Sequence, residues 1–478
     1  MWGIQLKHQS NITLARQIFL SFRQAILRGN MLEGEALPST RALARELGVA
    51  RNTVCEAYDM LDIEGFIMRQ QGKATRVASG LKLEQQLDQQ PDQQPTKQTV
   101  TEPIPIRWDF KTGQPDLAAF PWYSWRQCLQ QASLDVLPEL LSYGNGKGYE
   151  PLCEQIADWL LRSRGMEVDP ADIFITSGAT QALHLLVHIL KQENKAFALE
   201  SPSHPAIRQI VENNRIPLVW MPVDEQGANG AILSGHTVSA VYITPSHQFP
   251  LGVILPAARR AEFIRMARNQ QFYIIEDDYD SEFRYTGSPI SPLHSMDHTR
   301  VIYVGTFSKT MFPALRIGFA ILPRSLHTAW QENRQYLDVQ NPIMEQVALS
   351  HFIQQRKLDR HIQRMRRIYR EKRNTLLKAI DQYISHKVIV WGDASGLHTA
   401  IQLPGLKLDT AFLKRCGEAG IRLTLASEYS TEQSEHDDND TLLIGYGHLE
   451  HEDIIGGIKA LNGVIIRGSD GVNCDDSE

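Results

Sequence analysis

The sequence predicts a two-part α/β chain: a small helical head closed by a two-stranded hairpin, a linker, and a large body built on a mostly parallel sheet. Three observations predict it. At 478 residues the chain exceeds what one core organises. Composition breaks sharply between Ser79 and Pro105. From Trp108 onward, short apolar strands alternate with helical segments, the pattern of a parallel sheet with crossover helices.

The head spans residues 1–78. LARQIFLSFRQAIL places Leu14, Ile18, Phe22 and Ile26 on one helical stripe. A second helix starts at Pro38-Ser39, with Ser39 as its N-cap, and Gly48 stops it. A tight turn leads to a third helix with Val54, Tyr58 and Leu61 on one face, and IMRQQGKATRVA reads as two short strands around Gly72. Helix, Gly-containing turn, helix and hairpin make a winged helix-turn-helix. In such a unit the N-terminal end of the second helix enters the DNA major groove. Arg51, Asn52 and Thr53 are the candidate contacts at that end, with Ser39 and Arg41 at the start of the preceding helix and Lys73 and Arg76 on the wing. The alternative is a protein-interaction module with a solvated basic face. Charge favours DNA: residues 1–78 carry +3, whereas the chain as a whole is −6.

From Pro38 to Gly65 the residues follow PS.R.LA..LGV.R.TV..AY..L...G, and the head thereby resembles the GntR-type winged helix-turn-helix. Ala50 stands where that family usually has a serine capping the recognition helix. Either the cap is lost, or Asn52 takes it over and starts the helix later.

Residues 79–105 are rich in Gln and Pro and nearly free of large apolar side chains, so they form no core and read as a flexible linker. As a coil it would span roughly 25–30 Å. Residues 106–467 form the body, and 468–478 read as a frayed acidic tail. The N-terminus lacks a signal-peptide core, and the five cysteines are scattered without a CxxC pair, which points to a reducing cytoplasm. No metal-ligand spacing occurs among the sixteen histidines, so no metal is expected. The basic run 356–373 reads as a solvated helix face, with a secondary DNA contact as the alternative.

In a parallel sheet, functional residues gather at the carboxyl ends of strands. Three such ends in the body carry chemistry. After IFIT comes SGATQAL, a small-residue turn opening a helix, whose N–H groups suit an anion. After FYII comes EDDYD, carboxylates that need a cation if buried. After VIYV comes GTFSK and then Arg316. A lone lysine at a strand end is usually a surface residue. Combined with an anion site and a cation-seeking carboxylate, it is what pyridoxal phosphate requires of a protein.

Residues from about 108 to 465 are similar to fold-type I, pyridoxal phosphate-dependent aminotransferase-like proteins, which pair a mostly parallel large domain with a small C-terminal α/β domain. The resemblance implies that Lys309 forms the cofactor's Schiff base, Asp277 pairs with the pyridine nitrogen, and Tyr279 meets the ring hydroxyl. Ala179, Thr180, Thr306, Ser308 and Arg316 would surround the phosphate, and His204 stands where an aromatic stacks on the ring. YGNGKGYEPL resembles the segment whose tyrosine, here Tyr143, reaches the phosphate of the partner subunit, which implies a homodimer with head-to-tail shared sites. Phe249 replaces an asparagine, and Leu443 stands where aminotransferases usually bind the substrate carboxylate with arginine. Arg208 and Arg422 are the candidates to replace that cation for an effector.

A GntR-type head, a Gln/Pro linker and this body together resemble the MocR/GabR regulators. That implies a cytoplasmic transcription regulator that binds operator DNA and senses pyridoxal phosphate, an amine or an amino acid through Lys309. The alternative is a working aminotransferase with an appended head.

Overall fold

The computed structural model describes residues 4–7, 10–70, 73–81, 105–287, 290–392, 394–430 and 440–469. The chain divides into two compact units, Met1–Glu102 and Pro103–Glu478. Most of the predicted linker (82–104), most of the tail (470–478) and Gly72 of the wing lie outside the described residues.

The first unit holds α1 (Leu14–Leu27), α2 (Thr40–Leu47), α3 (Arg51–Ile63) and an antiparallel pair, β1 (Ile67–Met68) with β2 (Arg76–Val77). Ile18, Phe22 and Ile26 of α1 pack against Leu43 and against Val54, Tyr58 and Leu61 of α3. The Tyr58 hydroxyl donates to the Pro38 carbonyl at 2.8 Å, which ties α3 to the start of α2. Ser39 caps α2 by accepting from the Ala42 N–H, and Gly48 (φ 67°) ends it. The third helix begins at Arg51 with Ala50 as an N-cap that makes no side-chain bond. Asn52 therefore does not take over the cap. The missing bond costs about 0.5–2 kcal/mol and leaves first-turn N–H groups without a side-chain acceptor.

In the second unit, β3 (Trp108–Asp109), α4 (Trp122–Asp135) and α5 (Glu150–Arg164) precede a large sheet. Its region contains β4 (Ile173–Thr176), α6 (Ala179–Leu190), β5 (Ala196–Ser201), α7 (Pro205–Asn213), β6 (Leu218–Asp224) and β7 (Gly227–Ala228). It continues with β8 (Val238–Ile243), α8 (Ala257–Gln270), β9 (Tyr273–Asp278), β10 (Val301–Thr306) and β11 (Gly318–Ile321). Helices α9 (His327–Gln335), α10 (Ile343–Gln354) and α11 (Lys357–Tyr383) follow. The chain then forms β12 (Ile389–Trp391), β13 (His398–Gln402), α12 (Thr410–Glu418), β14 (Ile421–Arg422), β15 (Thr424–Leu425), β16 (Thr441–Gly445) and α13 (His451–Ser469).

The eight-stranded sheet has the order β4-β11-β10-β9-β8-β5-β6-β7. Strands β10, β9, β8, β5 and β6 run parallel, and β11 and β7 run against their neighbours. The central strands are apolar along their length because helices cover both faces. A smaller antiparallel sheet, β12-β13-β16-β15, packs with α11, α12 and α13 around a separate core. The parallel pair β14–β3 joins the start of this unit to its end.

Helix α11 carries the basic run. Leu358, Ile362, Met365, Tyr369 and Leu376 face the core while Arg360, Arg364, Arg367 and Arg370 are exposed, so the run is an amphipathic helix surface. Among the described residues, no helix is long and apolar enough to cross a membrane.

Candidate functional site

Parallel β8, β9 and β10 end side by side, and their carboxyl ends carry the polar residues. In register, Val304 of β10 lies beside Asp277 of β9, and Gly305 beside Asp278. The run after FYII would be unstable if its charges were unpaired. Glu276 accepts the Leu293 and His294 N–H groups, each at 2.8 Å. Asp278 meets Arg164 at 2.6 Å and the Tyr303 hydroxyl at 2.7 Å, and Asp280 meets His247 Nδ1 at 2.9 Å. Asp277 differs. Its Oδ2 accepts from Tyr242 at 2.8 Å, but its Oδ1 has no hydrogen-bond partner among the described residues. Burial raises the Asp277 carboxyl to about 6, against the Tyr242 hydrogen bond, which lowers it.

Asp277 lines a cleft of about 410 Å³. Ala179, Thr180, His204, Tyr279, Thr306, Ser308, Lys309 and Arg316 line the same cleft, so residues from five separate segments converge. Lys309 Nζ donates to the Gly113 carbonyl at 2.6 Å. Burial lowers the lysine's pKa, as does the Lys111 charge, whereas Asp280 and Asp277 oppose them. Gly113 has φ 67°, and a Cβ there would stand 2.7 Å from Lys309 Nζ. That position therefore requires glycine.

The start of α6 and the segment after β10 bring an anion cradle to the same cleft. Helix α6 begins at Ala179 after Gly178 (φ 93°), which offers no side-chain cap, so the first N–H groups are unsatisfied by the protein's own caps. Arg316 donates to the Ser177 carbonyl and lies over Gly178, where a Cβ would come 3.1 Å from its guanidinium. Thr306 Oγ1 and Ser308 Oγ lie 3.0 Å apart beside it. The arrangement therefore offers an unpartnered carboxylate oxygen, an amine of depressed pKa and an N–H, hydroxyl and guanidinium cradle. These residues fit the ring nitrogen, aldehyde and phosphate of pyridoxal phosphate.

His204 caps α7 through Nδ1, which accepts the Ala206 N–H at 3.1 Å, and its ring lies 5.2 Å from that of Phe249. Burial lowers its pKa, and the Lys309 charge adds to this. Tyr279 OH stands 3.0 Å from His247 Nδ1.

Three other expected residues do not line the cleft. Tyr143 is 87% exposed. Arg208 on α7 pairs with Glu212 at 2.8 Å and lies over the Trp220 ring. Arg422 on β14 pairs with Asp109 at 2.8 Å. Each arginine is thus paired with an acid, and neither is among the described residues that line the cleft. Leu443 on β16 is buried with Val223, Leu251, Val253, Ala400 and Ala426. Sequence reasoning missed Lys111, Thr112, Gly113, Tyr242, His398 and Tyr429, all of which line the cleft. The signal nearest to hand was the Thr-Gly-Gln-Pro stretch at 112–115, shortly after β3.

In the head, Arg41, Arg51, Asn52 and Lys73 are exposed, and Thr53 is partly buried. Arg51 Nε donates to Thr40 Oγ1 at 3.4 Å, which joins the starts of α2 and α3. Ser39 is engaged as a cap, and Arg76 donates to the Gly34 carbonyl at 2.6 Å.

Residues 108–434 match the model of the aminotransferase class I and II family, and residues 14–77 that of the gntR family of bacterial regulatory proteins. The chain is 32% identical to the uncharacterized HTH-type transcriptional regulator YdeL of Bacillus subtilis, with 95% of this chain and 97% of that one covered. It is 27% identical to the probable rhizopine catabolism regulatory protein MocR of Rhizobium meliloti, covering 96% and 95% of the two chains. The fold is similar to that of Pyrococcus horikoshii kynurenine aminotransferase, solved in complex with PMP, at a TM-score of 0.70 and 26% identity over 77% of this chain and 92% of that one.

Proposed function

We propose a function for this chain from its family: it belongs to the class I and II aminotransferases through residues 108–434 and, with its gntR head, to the MocR/GabR type of helix-turn-helix transcription regulators. It is a pyridoxal phosphate-dependent, DNA-binding regulator. Its head takes double-stranded operator DNA in the cytoplasm, and its body senses the cofactor, an amine or an amino acid at Lys309. The observation that carries the body's role is Asp277 Oδ1, a buried carboxylate oxygen without a hydrogen-bond partner among the described residues, in a cleft that also holds a lysine of lowered pKa.

Asp277 would accept the protonated ring nitrogen, and Tyr279 would meet the ring hydroxyl. The α6 amides at Ala179 and Thr180, the hydroxyls of Thr306 and Ser308, and Arg316 would hold the phosphate, with His204 against the ring. Tyr143, exposed in one chain, would reach the phosphate in a partner subunit of a head-to-tail homodimer. When bound, the cofactor supplies an aldehyde that combines reversibly with primary amines. The protein's part is to keep the Lys309 amine poised for release of its proton and to exclude water around it. Gly113 leaves room for that amine. A ligand in the cleft alters DNA binding only by its differential affinity for two states of the protein.

The DNA reading is tested by two substitutions. Arg51→Ala weakens specific operator binding by about 1–3 kcal/mol, because Arg51 opens the helix that reads base edges. Lys73→Ala on the wing weakens binding to all duplexes about equally and lowers the salt slope by roughly one unit. Equal loss of sequence discrimination from both variants, measured by titrating specific and scrambled duplexes, contradicts this docking.

A further inference from the structure

We propose that Lys111 reads an acid group on the effector, so that the effector is an amino acid or another amine with an anionic group, and not a plain amine. This rests on the cleft being the amine-sensing site. Among the described lining residues, the side-chain cations of the cleft are Lys309, Arg316 and Lys111. The first two serve the cofactor on that reading, which leaves Lys111. Its side chain is exposed and has no ion pair among the described residues.

Position supports the assignment. Lys111 and Gly113 are two residues apart on one short segment, and Gly113 O holds Lys309 Nζ at 2.6 Å. The segment therefore passes directly over the reactive amine, and the Lys111 charge acts on Lys309. A ligand whose amine reaches Lys309 has Lys111 beside its other end. No cation stands at Leu443, which is enclosed in apolar side chains.

Arg422 enters this arrangement indirectly. It pairs with Asp109 Oδ2 at 2.8 Å, while Asp109 Oδ1 accepts the Lys111 backbone N–H at 3.1 Å. The Arg422–Asp109 pair thus fixes the start of the segment that carries Lys111. Arg422 is a positioning residue, two links removed from the ligand.

The test uses full-length, cofactor-loaded protein and follows the cofactor's absorbance band. Alanine, 3-aminopropanoate and 2-aminoethanesulfonate are titrated against ethylamine, the amine each becomes without its acid group. 4-Aminobutanoate is titrated against propylamine for the same comparison in a longer ligand. At least one acid should act at about tenfold lower concentration than its matched amine, the scale of one charge-assisted contact. Lys111→Met should reduce that preference to about twofold or less, and Lys111→Arg should keep it. Arg422→Met should weaken the preference partly. Operator binding, measured with the same ligands, should follow the same order. Lys111 is overturned if no acid surpasses its matched amine in the wild type, or if Lys111→Met keeps the full preference. If neither acids nor amines move the band, the amine-sensing reading itself fails and this proposal falls with it.

Discussion

Replacing Lys309 with alanine removes the borohydride-fixable cofactor and leaves the protein folded. The lysine stands three residues past β10, with its Nζ on the Gly113 carbonyl. Losing that bond costs on the order of 0.5–1.5 kcal/mol, against relief from holding a desolvated ammonium. The fold therefore tolerates the change, while the amine held beside Asp277 is gone; among the described lining residues the other lysine, Lys111, is exposed. Arg316 cannot substitute, because a guanidinium stays protonated. Borohydride treatment followed by peptide mass spectrometry should find the reduced cofactor on Lys309 in the wild type and on no residue in the variant. A reducible adduct on another lysine contradicts the assignment.

Arg164→Met produces the largest expected loss of stability. Arg164 ends α5 and meets Asp278 at 2.6 Å, with both side chains only 2% exposed. It also bonds the hydroxyls of Ser281 and Ser246. Burial alone would lower its pKa, but Asp278 and its neighbours hold it above the ordinary arginine range. Methionine fills the volume and leaves Asp278 buried without its cation, which costs about 3–5 kcal/mol. Asp278 follows Asp277 on β9, so cofactor affinity should fall together with stability. Adding Asp278→Asn removes the stranded charge and should restore part of the loss, a coupling readable from denaturant unfolding of the single and double variants. Equal losses in Arg164→Met and in the double variant would show that the pair is not what holds this strand end.

The head was legible because its determinants are local: a cap at Ser39, a left-handed Gly48 and apolar stripes at helical spacing, all within one short segment. Ala50 left the start of α3 open, since a cap bond can be inferred from residue type only where the type can make one. The strand ends were legible too, because apolar strands followed by Ser-Gly, Glu-Asp-Asp and Ser-Lys mark the polar edge of a parallel sheet. Contributions from the rest of the chain were not. Tyr242 is the second-last residue of an entirely buried strand, and only tertiary packing gives its hydroxyl to Asp277. His398 and Tyr429 arrive from beyond α11, after a long crossing with no local marker. Arg208 and Arg422 each pair with an acid, Glu212 or Asp109, and are not among the described lining residues; such a pairing has no marker in the sequence. Lys111 was overlooked because nothing local distinguishes a lysine over a cleft from one in solvent.

The central claim is that occupancy of the cleft controls DNA binding. It is tested most directly by titrating full-length, cofactor-loaded protein with an operator duplex selected from random sequence, before and after adding an amine that moves the absorbance band. Operator affinity should change about tenfold or more in the wild type, since two linked sites must shift each other reciprocally, and should not change in Lys309→Ala. The contrary result is an amine that moves the band and turns over steadily with a keto acid while operator affinity stays constant.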